Sequence, residues 1–546
     1  LTDGPPPATL SASLISTLLT AVSLLLLPQI NEVIEVRVVE VEVVVVDGQG
    51  RPVPGLTKGD FELREGGKVR EVTNFYAVAR GQLLRDGGPP KTATETAVAA
   101  ADEPPIPAPP THIVFFVDDD HLDLRQRNRV LAAVRRFADA NLKAGVDASL
   151  ITYDHEAKVR VPFTADRARI AAELEALERE PARLNEQLSE RRSIMRSIDD
   201  AREDPDQLWR SVLRFATEQS RQVENSLLAV SAAVRRLRGV PGRRILVHVS
   251  SGLPLRPGVE LMDYWRQRFK ADPGMVNMAS LQFEESNNFK RMIADAQAAG
   301  VIIDTIDAGG LTGFEGSAVD MPSSGAAVLD SGLARDNRRD PLRLIADETG
   351  GRAVINENDF DRALSAVASD TTTYYSLGFH GDGNSSLRRV DVRVKRPGLT
   401  VRSAKAYRER SFEERLRDTL ESAFDFPLDA NPLAVELQIG PATAAGNDVD
   451  VPLQLRVAPS KLTVLEGKAH VRCYYEVREA GGGASALRTI DDDLTIAGGD
   501  AGIPAAIPLK AVSGLRLRKG NYTLSLAVRD LLSNETSYIQ RTVDTR

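Results

Sequence analysis

The sequence predicts an α/β protein. Its centre is a doubly wound, mostly parallel sheet with a helical insertion, flanked by a small N-terminal β domain and a C-terminal β-sandwich. Three observations carry this reading. Apolar runs of strand length alternate with helical stretches through the middle of the chain. Between Asp166 and Arg238 the helical periodicity continues well beyond what one crossover needs. Both flanks consist of short alternating runs broken by Gly and Pro.

In chain order, residues 1–30 come first. Ala8 to Leu27 is uncharged and long enough, as a helix, to span about 30 Å of hydrocarbon. It reads as an export signal or a membrane anchor, with cleavage left open, because no Lys or Arg precedes Arg37 and no small-residue cleavage site follows Leu27. Residues 31–79 form the small β domain. Valines and charges alternate from Val33 to Val46 with a phase slip that implies a bulge or break, and Phe61 to Val72 reads as a hairpin turning at Gly66-Gly67. Residues 80–110, rich in Ala, Gly and Pro, form a stiffened linker.

The central domain is expected over 111–407. Its strands are expected at His112–Val117, Ala148–Tyr153, Ile245–Val249, Val301–Ile306, Ala353–Ile355 and Tyr374–Phe379, with helices between them, and its end forms a C-terminal β extension. The helical insertion covers about 179–225 and feeds into a core helix marked by Val223, Leu227, Val230, Val234 and Leu237. Residues 408–433 supply a connecting helix and linker. From 434 to 546 alternating runs such as Tyr522, Leu524, Leu526 and Val528 indicate an Ig-like β-sandwich.

With 69 Lys+Arg against 77 Asp+Glu, the net charge of -8 gives no basic excess for nucleic acid. The single cysteine, Cys473, excludes an internal disulfide and a C-x-x-C metal site, and its place in an alternating run makes it a core thiol. His155-Glu156 lacks the second histidine of a zinc protease, and no G-x-S-x-G elbow surrounds Ser250 or Ser251. Ligands of doubly wound sheets bind beyond the carboxyl ends of the strands, which is where Asp118-Asp119-Asp120 falls. His121 would meet His155 and His248 there, as structural histidines in the simplest reading.

Read together, His112 to Val117 with the following aspartates, and Val249-Ser250-Ser251-Gly252-Leu253-Pro254, resemble the VWFA-related domain family of acidobacterial type. Val53 to Phe61, Tyr374 to Phe379 and Tyr407 extend the resemblance over residues 33–407. Von Willebrand factor A domains hold a divalent cation through D-x-S-x-S, a Thr and a late Asp. The resemblance therefore implies a degenerate metal site at Asp118, Asp120, Asn225 and Ser251, with Mg²⁺ as the matching ion; Leu122 stands where a serine ligand belongs. The alternative is that the aspartates cap or flank the helix that follows.

The expected function is that of a non-enzymatic, extracytoplasmic protein-binding or scaffold protein. It would act on a protein partner through the strand-end loops, with membrane association through residues 8–27. Two alternatives stay open: a metal-assisted hydrolase using Asp118 and Asp120, and a cytoplasmic assembly factor partnering an ATPase.

Overall fold

A computed structural model describes residues 38–85, 108–310, 332–495, 507–509 and 514–546, apart from 123, 182–184, 201, 429, 466, 483, 484 and 486. The expected export or anchor segment, the first residues of the β domain and most of the linker lie outside the described residues.

The strands are β1 (Val38–Val46), β2 (Phe61–Glu65), β3 (Lys68–Arg70), β4 (Asn74–Ala79), β5 (Gln82–Arg85), β6 (Thr111–Asp118), β7 (Val146–Asp154), β8 (Glu156–Thr164), β9 (Arg243–Ser250), β10 (Ile302–Asp307), β11 (Ala353–Val354), β12 (Tyr374–His380), β13 (Leu387–Val394), β14 (Thr400–Arg402) and β15 (Ala406–Arg408). The helices among and after them are α1 (Leu124–Asn141), α2 (Arg167–Arg179), α3 (Asn185–Asp200), α4 (Pro205–Leu237), α5 (Val259–Phe269), α6 (Pro273–Leu281), α7 (Ser286–Ala299), α8 (Gly332–Thr349), α9 (Phe360–Thr372) and α10 (Phe412–Ala423).

The central sheet has the order β11-β10-β9-β6-β7-β8. The strands from β11 to β7 are parallel, and β8 turns back antiparallel on β7. Alternate residues of β6 enter different cores, which is why the run is continuously apolar. Ile113, Phe115 and Val117 pack with α1, α2 and α9, whereas Val114 and Phe116 pack with α4, α7 and α8. A helix layer therefore covers each face. The edge strand β8 was not among the expected strands, although Ala157, Val159, Val161 and Phe163 alternate with Lys158 and Arg160, as suits a strand with one open edge.

Tyr374–His380 does not join this sheet, contrary to its expected place. It pairs antiparallel with β4 inside a second sheet, β14-β1-β12-β4-β5. A third sheet, β15-β13-β2-β3, contains the hairpin at Gly66-Gly67, both residues at positive φ. These two sheets share one core of Val41, Val43, Phe61, Leu63, Leu377, Phe379, Val390 and Val392. The strands before the linker and those after α9 thus complete one another, as in the pairs Val45↔Val401 and Leu63↔Val392. Tyr375 shows why both segments are needed. Its buried hydroxyl donates to the Val53 carbonyl at 2.7 Å and accepts the Leu56 N–H at 3.1 Å, closing a loop 322 positions away in sequence. Burial on both sides also accounts for Val43 to Val46, where simple alternation stops. Arg243 of β9 ties this unit to the central sheet: it donates to Glu42 at 2.7 Å and to the Asp370 carbonyl at 2.6 Å, and its guanidinium stacks 4.2 Å above the Tyr374 ring.

The last segment forms two antiparallel sheets around a common core that includes Cys473. Between it and the central domain lies α10, begun by a capping box of Ser411 and Glu414. The end of α4 meets α10 at Gly239, whose N–H donates to Ser422 Oγ at 3.0 Å. A Cβ added there would sit 1.9 Å from the Asp418 carbonyl oxygen. Gly239→Ala is therefore expected to cost about 1–3 kcal/mol by overpacking, read as a lower denaturation midpoint.

Glu476 lies under α10 in the strand Lys468–Glu479 and is only 1% exposed. Burial, reinforced by Glu421 and opposed by Arg417 and Arg478, pushes its carboxyl up from 4.5 to about 7. The folded state binds this proton more tightly than the unfolded chain does. The associated stability is fully present below pH 4.5 and is lost as pH rises through 7. Glu476→Gln is expected to raise stability at pH 8 by about 1–2 kcal/mol and to leave it unchanged near pH 4, as read by urea melts at the two pH values.

Candidate functional site

The carboxyl ends of β6, β7, β9 and β10 bring Asp118, Asp154, Ser250 and Asp307 to one edge of the central sheet. After Asp118 the chain makes a 3-10 turn at Asp119–His121 before α1 begins at Leu124. That turn folds three consecutive carboxylates inward, so each must find a cationic or donor partner within the protein.

Asp118 is 0% exposed. His121 Nδ1 lies 2.9 and 3.0 Å from its two oxygens, and Ser226 Oγ donates to Oδ2 at 2.6 Å. His248 Nε2 is 3.7 Å away, close enough for charge attraction but too far for a direct hydrogen bond. Burial by itself would raise the Asp118 carboxyl; His121 and His248 outweigh it and hold the group far below the usual carboxylate range. His121 responds in the opposite direction. Burial disfavours its charge, but Asp118 and Asp120 prevail and raise its value.

The neighbouring acids are also partnered, but in them burial prevails and raises the carboxyl. Asp119 receives Arg127 Nη1 on both oxygens at 3.0 Å, and Arg127, itself 0% exposed, also donates to the Glu180 carbonyl. Asp120 Oδ2 accepts the His155 N–H at 3.1 Å and faces His155 Nδ1 at the same distance. Asp307 accepts from Arg339 Nε at 2.8 Å. Each of these rim carboxylates therefore has at least one partner on the chain itself.

Of the four residues that sequence reasoning joined, Asp118, Asp120 and Ser251 come to this edge and Asn225 does not. Asn225 is exposed on α4, and the inward position belongs to Ser226, one residue later. The reason is that α4 runs unbroken for 33 residues, so no loop presents residue 225 to the strand ends. Ser251 Oγ donates to Gln126 Oε1 at 2.5 Å, its N–H donates to the His121 carbonyl, and Leu122 is buried in the core against α1. This set does not fit Mg²⁺, which takes near-octahedral oxygen donors: Asp118 already accepts from His121 and Ser226, Leu122 carries no side-chain oxygen and Asn225 faces solvent. The helical stripe carried a signal for Ser226: residue 226 lies three after Val223 and four before Val230, on the inward face, whereas residue 225 points away from it. The three histidines the sequence grouped do reach this edge, His121 and His248 on Asp118 and His155 on Asp120.

No protein-family model and no curated protein matches the chain. Among solved structures it is similar to an aerotolerance-related membrane protein of Bacteroides fragilis, at 11% identity and a TM-score of 0.24 over 48% of this chain and 98% of that one. The vWF domain of the type V pili tip protein Mfa5 of Porphyromonas gingivalis is similar at 15% identity and a TM-score of 0.16, over 27% of this chain and 39% of that one. The conserved hypothetical protein BatB of Bacteroides thetaiotaomicron is similar at 12% identity and a TM-score of 0.21, over 48% and 97%. At such scores the functional reading rests on the geometry of this chain.

Proposed function

We propose that this chain is a non-enzymatic, exported protein-interaction scaffold that engages a protein partner through the carboxyl-end rim of its central sheet. The observation that carries this reading is the internally bonded rim. Asp118, Asp119, Asp120 and Asp307 are fixed by His121 and Ser226, Arg127, His155 and Arg339, so the loops are held in place by internal bonds. From that fixed base Leu124, Arg125 and the His155 side chain project into solvent and offer an apolar, cationic and aromatic contact set. The alternative, a metal-assisted hydrolase using Asp118 and Asp120, finds less support, because both oxygens of Asp118 already accept from His121 and Ser226.

Export is supported by the uncharged stretch from Ala8 to Leu27. Among the described residues no helix is long and apolar enough to cross a membrane. The test is capture of partners from an envelope extract by the full chain and by a Leu124→Glu, Arg125→Glu variant. A partner retained by the wild type and lost by the variant, at an unchanged unfolding midpoint, is the expected result. Equal capture by both would remove the rim from the interaction.

A further inference from the structure

We propose that Asp120, Asp154 and His155 form a binding site for a borderline divalent cation of the zinc class. One donor atom from each residue lies within 4.8 Å of the other two. The topology brings the three residues to one place. Asp154 is the last residue of β7, His155 is the single residue joining β7 to β8, and Asp120 lies in the turn after β6, the strand paired with β7. His155 adopts φ 54 and hands its N–H to Asp120, which sets its ring beside the carboxylate.

The spacing suits a shared ion. Asp120 Oδ2 and His155 Nδ1 are 3.1 Å apart, close to the ~3.3 Å edge of a tetrahedron built from zinc bonds of about 2.0–2.1 Å. An independent feature points to a ligand as well. Asp120 is 3% exposed, and its second oxygen, Oδ1, is closed off from solvent with no hydrogen-bond partner. A buried carboxylate oxygen left unsatisfied is costly, and a cation satisfies it directly. The other side of the cluster is open, since the His155 side chain is 63% exposed, so positions beyond the three protein donors stay accessible to water or a ligand.

The donor set selects the ion. One imidazole nitrogen with two carboxylate oxygens suits zinc and its transition-series neighbours, whereas Mg²⁺ and Ca²⁺ favour six or more oxygens. The site is separate from Asp118, whose oxygens are taken by His121 and Ser226.

The test is calorimetric titration of the full chain with zinc chloride and with magnesium chloride, for the wild type, His155→Gly and Asp154→Asn. Glycine accepts positive φ, so His155→Gly removes the ring while keeping the turn. The expected result is one saturable zinc site in the wild type, weakened at least tenfold in each variant, with magnesium producing no saturable heat. No zinc binding in the wild type, equal zinc binding in all three proteins, or magnesium binding as tight as zinc would overturn the proposal. Should Asp154→Asn misfold, His155→Gly with a far-UV spectrum matching the wild type decides the matter alone. The outcome is independent of partner capture through Leu124 and Arg125, so the two readings can fail separately.

Discussion

Arg127→Met is expected to lower stability at pH 7 by about 3–5 kcal/mol, because removing one member of a buried ion pair strands the other. Arg127 has no exposed surface, and its guanidinium holds both oxygens of Asp119 and the Glu180 carbonyl, linking the turn after β6 to the end of α2. Methionine fills much of the same volume, so the loss reports the charge and its hydrogen bonds rather than a cavity. Burial already pushes the Asp119 carboxyl up against the pull of Arg127. Without Arg127 the proton is bound more readily in the folded state, so the destabilisation should be smaller at pH 5 than at pH 7. Guanidinium melts at the two pH values measure both effects; an equal loss at each would show that packing, not the Asp119 charge, dominates.

For Asp118→Ala the expected loss is also about 3–5 kcal/mol, and the informative condition is metal-free buffer. Asp118 accepts from Ser226 and His121 and lies near His248, so alanine leaves buried donors without an acceptor. A carboxylate serving only as a metal ligand would behave in the opposite way. With no ion present, deleting it beside Asp119 and Asp120 would relieve repulsion and leave stability unchanged or raised. Thermal unfolding after chelation therefore separates an internal structural anchor from a ligand. A melting temperature that does not fall in Asp118→Ala would contradict the role assigned here to His121 and Ser226.

Much of the central architecture was written locally. The apolar run from His112 to Val117 required a strand covered on both faces, and the stripe from Val223 to Leu237 required a helix against it; each lies where its period placed it. The site was legible as a location. Strand-end aspartates in an α/β sheet mark its carboxyl edge, and the three carboxylates do lie there. Their partners were not legible, because Asp118–Ser226, Asp119–Arg127 and Asp120–His155 depend on side-chain direction across separate elements.

The sequence by itself determined the type and order of the main elements of the parallel sheet and the edge at which charge accumulates, since periodicity and turn residues are local properties of the chain. Only the tertiary structure decided that Tyr374–His380 leaves the parallel sheet to complete the N-terminal strands. It also decided that Ser226 meets Asp118, and that Asp154 and His155 converge on Asp120. Strand pairing over such separations, and which side chain of a distant element a given residue meets, are set by which surfaces must be buried together, and a linear pattern does not contain that information.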